Sequence, residues 1–399
     1  MNNWKKCKLG DAPLEFIDGD RGKNYPKQNE FHSNEYCLFL STKNVRENGF
    51  DFSECQFITK EKDEILKKGK LKINDLVLTT RGTIGNLALY KENISYKNIR
   101  INSGMLIIRP NNEELDSRYA FYLFKNLKDE FDNFVSGSAQ PQLPIRDLKE
   151  VEITLPPLEE QRQIAAILSS IDDKIELLHE QNKTLEELAQ TLFRHYFIEN
   201  PNPSWQEKPL SDFGNIICGK TPSKKVNEYY NGDIPFIKIP DMHGNIFVFK
   251  TNEYLSELGS QTQINKLIPK KSICVSCIAT VGVVSMNAFE SYTNQQINSI
   301  VPKKEHYRYF LYLYMKHLYD YLQSMASGGT ATANLNTRDF SNIHILMPDE
   351  EIMINFNGKT SEYFDKIFKN LEQIQTLENM RDILIPKLLN GEIKVGGNQ

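Results

Sequence analysis

Gly214-x4-Gly219-Lys220-Thr221 has the letters of a phosphate-binding P-loop. That chemistry needs a buried strand before the loop and a helix opening at the Lys-Thr pair, so that backbone N–H groups face the phosphates. Here WQEKPLSDF precedes the motif, and Pro222 follows it with no helical periodicity, so no nucleotide site is expected. Cys274-x2-Cys277 is a lone pair without a second pair or a His at zinc-finger spacing. It falls in a strand-like run, where residues three apart point to opposite faces. Pro348-Asp349 with Glu392-x-Lys394 is a loose nuclease pattern straddling a helix whose duplicate lacks both parts. There is no G-x-G-x-x-G fingerprint and no Asn-Pro-Pro-aromatic signature, and the seven His do not cluster. No nucleophile, base and orienter assemble, so the chain reads as non-catalytic, with no metal and no cofactor of its own.

What remains are polar loops with interleaved cations, and they come in pairs. Residues 20–26, with Arg21, Lys23, Asn24 and Tyr25, correspond to residues 219–225, with Lys220, Thr221, Ser223, Lys224 and Lys225. Residues 79–85, with Thr80, Arg81 and Thr83, correspond to 277–282, with Thr280. Residues 136–142, with Ser138, Gln140 and Gln142, correspond to 327–334, with Thr330, Thr332 and Asn334. Lys238 joins the second set. Such side chains hydrogen-bond base edges and phosphates, and Gly lets backbone approach them. Any one of these loops alone would pass for a solvated turn. Three recurring at matching places point to binding, and two readers suit a two-part DNA site.

The pairing belongs to a duplication of the whole chain. Trp4-x4-Leu9-x-Asp11 recurs as Trp205-x4-Leu210-x-Asp212, and Arg118-Tyr119-x2-Tyr122-Leu123 as Arg308-Tyr309-x2-Tyr312-Leu313. From Arg146-Asp147 onward the two copies run in one ungapped register, 192 residues apart, to Thr184-Leu185-Glu186 and its twin Thr376-Leu377-Glu378. Each half is therefore a globular unit followed by a helix. The globular parts read as mixed α/β. Residues 75–80, 105–108 and 273–277 look like strands, and 119–134 and 309–325 like helices with aromatic core stripes.

After Pro156-Pro157 no Gly or Pro interrupts a long helical run. Ile164, Leu168, Ile171, Ile175, Leu178, Asn182, Leu185, Ala189, Leu192 and Tyr196 alternate four and three apart, a heptad seam about 48 Å long. Its duplicate runs from Phe356 to Leu388, interrupted by Thr360 and Arg381. Laid antiparallel with ends matched, Ile164 faces Leu388, Ala189 faces Tyr363 and Asn182 faces Asn370. Any slip strands each buried amide against aliphatic neighbours, at ~1–3 kcal/mol apiece. The expectation is an intramolecular antiparallel coiled coil with a mutually satisfied Asn182–Asn370 layer, acting as a rod between two similar domains.

Composition agrees with a folded, two- or three-domain protein: 399 residues, 40% hydrophobic, 25% charged and 11% aromatic. The net charge of −4 argues against a nucleic-acid partner only at first sight. The acidity is concentrated in residues 156–204 and 349–399, whereas residues 1–155 carry 24 basic against 23 acidic groups and residues 205–348 carry 14 against 11. Phosphate binding depends on such local balance. Scattered cysteines, no apolar leader and no long apolar run fit a cytoplasmic protein with reduced thiols and no membrane contact.

The motifs GKTPS followed by YYNGDIPFIKIPD, TTRGTIG, SGSAQPQL, and above all LPPLEEQRQIAAIL leading into DDKI, resemble the specificity subunit of type I restriction–modification systems over nearly the whole chain. The resemblance implies target-recognition domains at 1–155 and 199–348, each reading half of a bipartite DNA sequence. It implies spacer helices at 156–198 and 349–391, a tail at 392–399, and docking of two methyltransferase subunits to which restriction subunits attach. S-adenosylmethionine and methyl transfer would belong to the partner. A non-DNA interaction scaffold, or a complex that only methylates, are the alternatives. The copies depart from one another: LMPDEEIM stands for LPPLEEQR, Arg21–Pro26 replaces the G-x-T-P-S form, and SCIATVG lacks the Arg of TTRGTIG. The two halves should therefore read different sequences.

Overall fold

The computed structural model describes residues 3–47, 49–134, 141–326 and 333–395. The chain forms two compact units, Met1–Glu176 with Ile374–Gln399, and Leu177–Gln373. Both are mixed α/β, and their main sheet, smaller sheet and terminal strand pair recur from one copy to the other.

In the first unit Leu14–Asp18, Met105–Pro110, Leu76–Thr79 and Leu87–Leu89 form an antiparallel sheet in that order. The second unit repeats it with Gly214–Cys218, Ile297–Pro302, Ile273–Ser276 and Val284–Asn287, and adds Phe247–Val248 at the edge. A smaller sheet, Phe57–Ile58, Cys37–Leu40 and Ile99–Ile101, has its twin in Glu253–Leu255, Tyr230–Ile237 and Tyr292–Thr293, with the last pair parallel in each case. Lys5–Lys8 pairs with Glu152–Leu155 as Gln206–Pro209 pairs with His344–Met347. The central strands Leu76–Thr79 and Ile273–Ser276 are buried on both faces, which is why their sequences are nearly unbroken apolar runs.

The two aromatic-striped helices are shorter than their periodicity predicts. Ser117–Asn126 stops at Leu127 and a second helix, Lys128–Phe131, begins; Arg308–His317 and Tyr319–Ala326 divide likewise at Leu318. Leu127 and Leu318 sit near ψ 0 and 10°, and the turn redirects the chain so that Phe131 and Leu322 enter the core.

The long helices span Leu158–Phe193, extended by a π-helical turn at Arg194–Glu199, and Glu350–Leu389. Half of each helix closes the core of each unit. Ile164, Ala165 and Leu168 with Ile385, Leu388 and Leu389 complete the first core. Ala189 and Phe193 with Phe356, Phe364 and Ile367 complete the second, where Tyr363 also packs. The predicted antiparallel register is present: Asn370 Nδ2 donates to Asn182 Oδ1 at 2.8 Å, and the rings of Tyr196 and Phe356 lie 6.0 Å apart.

The Asn layer is only half of what was expected, because Asn182 Nδ2 and Asn370 Oδ1 have no partner among the described residues. The two seam interruptions are accommodated differently. Thr360 is fully buried and its hydroxyl donates to the Phe356 carbonyl one turn back, at 2.9 Å. Arg381 donates to Asp172 Oδ1 at 2.9 Å, and Tyr122 donates to the other carboxylate oxygen at 2.7 Å. A charge on the seam is thus tolerated because both of its partner's oxygens are occupied.

Asn370→Leu should leave the Asn182 amide buried and unpaired and lower stability by ~1–3 kcal/mol in guanidinium denaturation. Combining it with Asn182→Leu should recover most of that loss, and additive losses would show that the two amides are not coupled.

Candidate nucleic-acid interface

In the first unit the loop between strands Leu76–Thr79 and Leu87–Leu89 turns at Gly82 and Gly85, both with positive φ, 72 and 86°. Thr79 closes it by donating its hydroxyl to the Thr83 carbonyl and accepting from Asn86 N at 3.0 Å. The loop is anchored to residues 102–104. The Gly104 carbonyl accepts from Thr80 N, Thr80 Oγ1 and Arg81 N at 2.9, 3.1 and 3.2 Å. Arg81 also forms a β-bridge with Gln142, and Leu143 N donates to the Thr80 carbonyl at 3.0 Å. A Cβ on Gly19 would lie 2.4 Å from the Asn102 carbonyl oxygen, so only glycine allows that approach. Thr42 reaches the same spot, its Cγ2 3.0 Å from where a Gly104 Cβ would stand. Residues 19–25, 42, 80–85 and 142–143 therefore meet around one hub.

The second unit builds the same hub from residues 293–296. Lys220 N donates to the Thr293 carbonyl at 3.0 Å, and Thr221 Oγ1 to Gln295 Oε1 at 2.5 Å. Cys277 N donates to the Gln296 carbonyl at 2.7 Å, and Leu335 N to the Cys277 carbonyl at 2.8 Å. Ile278 bridges Asn334 as Arg81 bridges Gln142. Positive φ recurs at Ala279 and Gly282, 64 and 86°. Ala279 holds it without being glycine, its N–H fixed to the Ala333 carbonyl at 3.0 Å.

The candidate side chains do not all face solvent. Arg81, Thr83, Gln142, Lys23, Lys220, Ser223, Lys225, Thr280 and Asn334 are exposed. Arg21 is exposed but paired with Asp18 at 3.0 Å. Thr80 is buried and spends its hydroxyl on the hub, and Asn24 and Thr221 are half-buried. Tyr25 packs edge-on against Phe39, 5.7 Å between centroids, and burial raises its hydroxyl pKa. Lys224, at 3.4 Å, and Lys238 both pair with Glu253, whose carboxyl Lys238 holds below the usual carboxylate range. Ser138, Gln140, Thr330 and Thr332 lie outside the described residues. The sequence reading missed Thr42, Asn102, Ser103 and Gln295, which belong to the hubs. The one signal for them is their place in the duplication, with 102–103 and 295 immediately before the strands Met105–Pro110 and Ile297–Pro302.

The other motifs resolve as structure. Gly214–Cys218 is a strand, no helix follows it, and the Gly219 and Lys220 amides are bonded to the Ile297 and Thr293 carbonyls rather than free for phosphate. Asp349 accepts from the Trp205 indole at 3.0 Å, as Glu160 does from Trp4 at 2.9 Å. Cys274 and Cys277 face different cores, and burial pushes both thiols up to about 12. Among the described residues no cluster of His, Cys, Asp and Glu could hold a metal, and no helix is long and apolar enough to cross a membrane. Both thiols should resist iodoacetamide at mildly alkaline pH in the folded protein and react on unfolding; rapid labelling of the native chain would contradict their burial.

The family model for the type I restriction modification DNA specificity domain matches residues 1–187 and again 202–380. The chain is 32% identical to the specificity subunit of the type I restriction enzyme HindI of Haemophilus influenzae, over 98% of this chain and 100% of that protein. It is 29% identical to the MjaIX specificity subunit of Methanocaldococcus jannaschii, over 84% of this chain and 81% of the other. The crystal structure of a type I restriction–modification S subunit from M. genitalium shares the fold, with a TM-score of 0.61 over 97% of this chain and 96% of that one at 16% identity. Two matched hubs on two matched domains, and a relative aligned from end to end, lead to one assignment: the chain belongs to the type I restriction–modification DNA specificity family.

Proposed function

We propose that each unit reads one half of a split DNA target with the loops gathered at its hub, and that residues 1–155 and 199–348 are the two recognition domains. The observation that carries this is the recurrence of one loop architecture with different side chains on it. Arg81 and Gln142 stand in the first unit where Ile278 and Asn334 stand in the second. A shared scaffold with unlike readers is what two unlike half-sites require. Arg81 is suited to the O6 and N7 of a guanine or to a phosphate, and Gln142 and Asn334 to an adenine edge. Lys23, Lys220 and Lys225, exposed and without ion pairs among the described residues, are suited to phosphates.

In this reading the chain itself is non-catalytic. Two methyltransferase subunits supply S-adenosylmethionine and methyl transfer, restriction subunits join through them, and the complex works in the cytoplasm, where the chromosome is.

Arg81→Ala should weaken binding to the cognate duplex by roughly 10- to 100-fold, equivalent to ~1–3 kcal/mol, and relax discrimination within one half-site only. Competition binding against duplexes altered in one half at a time reads this out. Binding unchanged across that panel would remove Arg81 from the interface, and the absence of any DNA preference in the unaltered protein would favour a protein-binding scaffold.

A further inference from the structure

The turn at residues 67–70 has more holding it than a surface turn needs. Arg100 is 5% exposed, and its guanidinium is spent almost entirely on this turn and the helix before it. Nε donates to Asp63 Oδ1 at 2.5 Å, and Nη2 to the carbonyls of Asp63 and Leu66 at 2.8 and 2.9 Å. Nη1 donates to the Lys68 carbonyl at 2.5 Å. A buried guanidinium with each nitrogen engaged fixes those carbonyls in place.

The same turn is tied to the loop carrying Arg21 and Lys23. Lys68 N donates to Asp20 Oδ2 at 2.7 Å, and Arg100 Nη1 lies 3.9 Å from that oxygen. Gly69, with φ 77°, comes so close that a Cβ there would stand 3.2 Å from the Gly19 Cα, and Ile101 N donates to the Gly69 carbonyl at 2.9 Å. Carbonyls are drawn inward, and the side chains of Lys67 and Lys68 are exposed. Neither makes an ion pair among the described residues, whereas Lys70 beside them pairs with Asp63 at 2.5 Å and Lys62 with Glu30 at 2.9 Å. In the second unit the strand register places Ile264 and Asn265 at the matching positions, so that turn carries no such pair of cations.

We propose that Lys67 and Lys68 form a DNA-backbone contact of the first unit, taking phosphates that flank its half-site and held in register with the reading loop by the Arg100–Asp63–Asp20 network. This rests on the DNA-reading function proposed above. Two rigidly presented, unpaired cations next to a reading loop suit the regular spacing of phosphates, and such contacts position a protein without reading sequence.

The test is the salt dependence of binding by the full chain, measured on the cognate duplex and on a scrambled duplex. Lys67→Gln/Lys68→Gln should make the slope of log affinity against log salt shallower by about 1.8, at about 0.9 for each phosphate that is no longer neutralised, equally on both duplexes. The ratio of cognate to scrambled affinity should stay as it is. Lys6→Gln, an exposed lysine on the strand Lys5–Lys8, is the control for general charge and should change the slope far less. An unchanged slope in the double variant, or an unchanged slope with weakened discrimination, overturns the proposal. If the unaltered chain shows no salt-dependent preference for the cognate duplex, it is the DNA-reading function that fails, and the variant comparison is not what refutes it.

Discussion

One hydrogen bond, from Asn370 to Asn182, joins the two long helices at the middle of a largely apolar seam, and the rest of the structure depends on the register it selects. Both residues are buried, so a slip of the helices would leave two amides in apolar surroundings instead of two atoms. The register has wide consequences because the largest core of each β-rich unit is completed by the long helices. Each is closed by the N-terminal half of one long helix and the C-terminal half of the other. A displaced helix would therefore open both cores at once. The chain ends take part in this: residues 374–399 belong to the same compact unit as the first 176.

On that base the duplication could diverge where divergence is useful. The sheets shared by the two units are matched in strand order, and so are the positive-φ positions at 82 and 279 and at 85 and 282. The groups mounted on them are not. The first hub presents Arg81 with no carboxylate partner among the described residues, whereas the second presents Thr280 and binds two of its lysines to Glu253. Backbone-to-backbone anchoring explains how this is possible. The loops are held through the amides and carbonyls of residues 80, 104, 277 and 296, so side chains can change while the scaffold stays.

Much of this was legible in the sequence, for physical reasons that differ by element. The helices and their register could be read because a seam leaves a period, and an off-pattern Asn in each copy leaves one alignment that pairs them. The opposed faces of Cys274 and Cys277 followed from strand geometry. The hubs were not legible, since Asn102, Ser103 and Gln295 carry no periodic or chemical signature and are brought to the loops only by sheet pairing. Tyr25 and Lys238 look like binding residues in the sequence. One is half-taken by an aromatic core and the other by Glu253, because composition reports what a side chain can do and packing decides what it is given to do. The helix breaks at Leu127 and Leu318 were missed because aromatic periodicity continues across them while the backbone turns.

Matched scaffolds with unlike side chains suit a chain that chooses the DNA sequence on which its complex acts. Mapping base methylation across the genome of the source strain, with and without this gene, tests it most directly. One split motif with a fixed spacer should lose its methylation when the gene is removed and regain it on complementation. Identical methylation in both strains, with the methyltransferase subunits expressed, would contradict it.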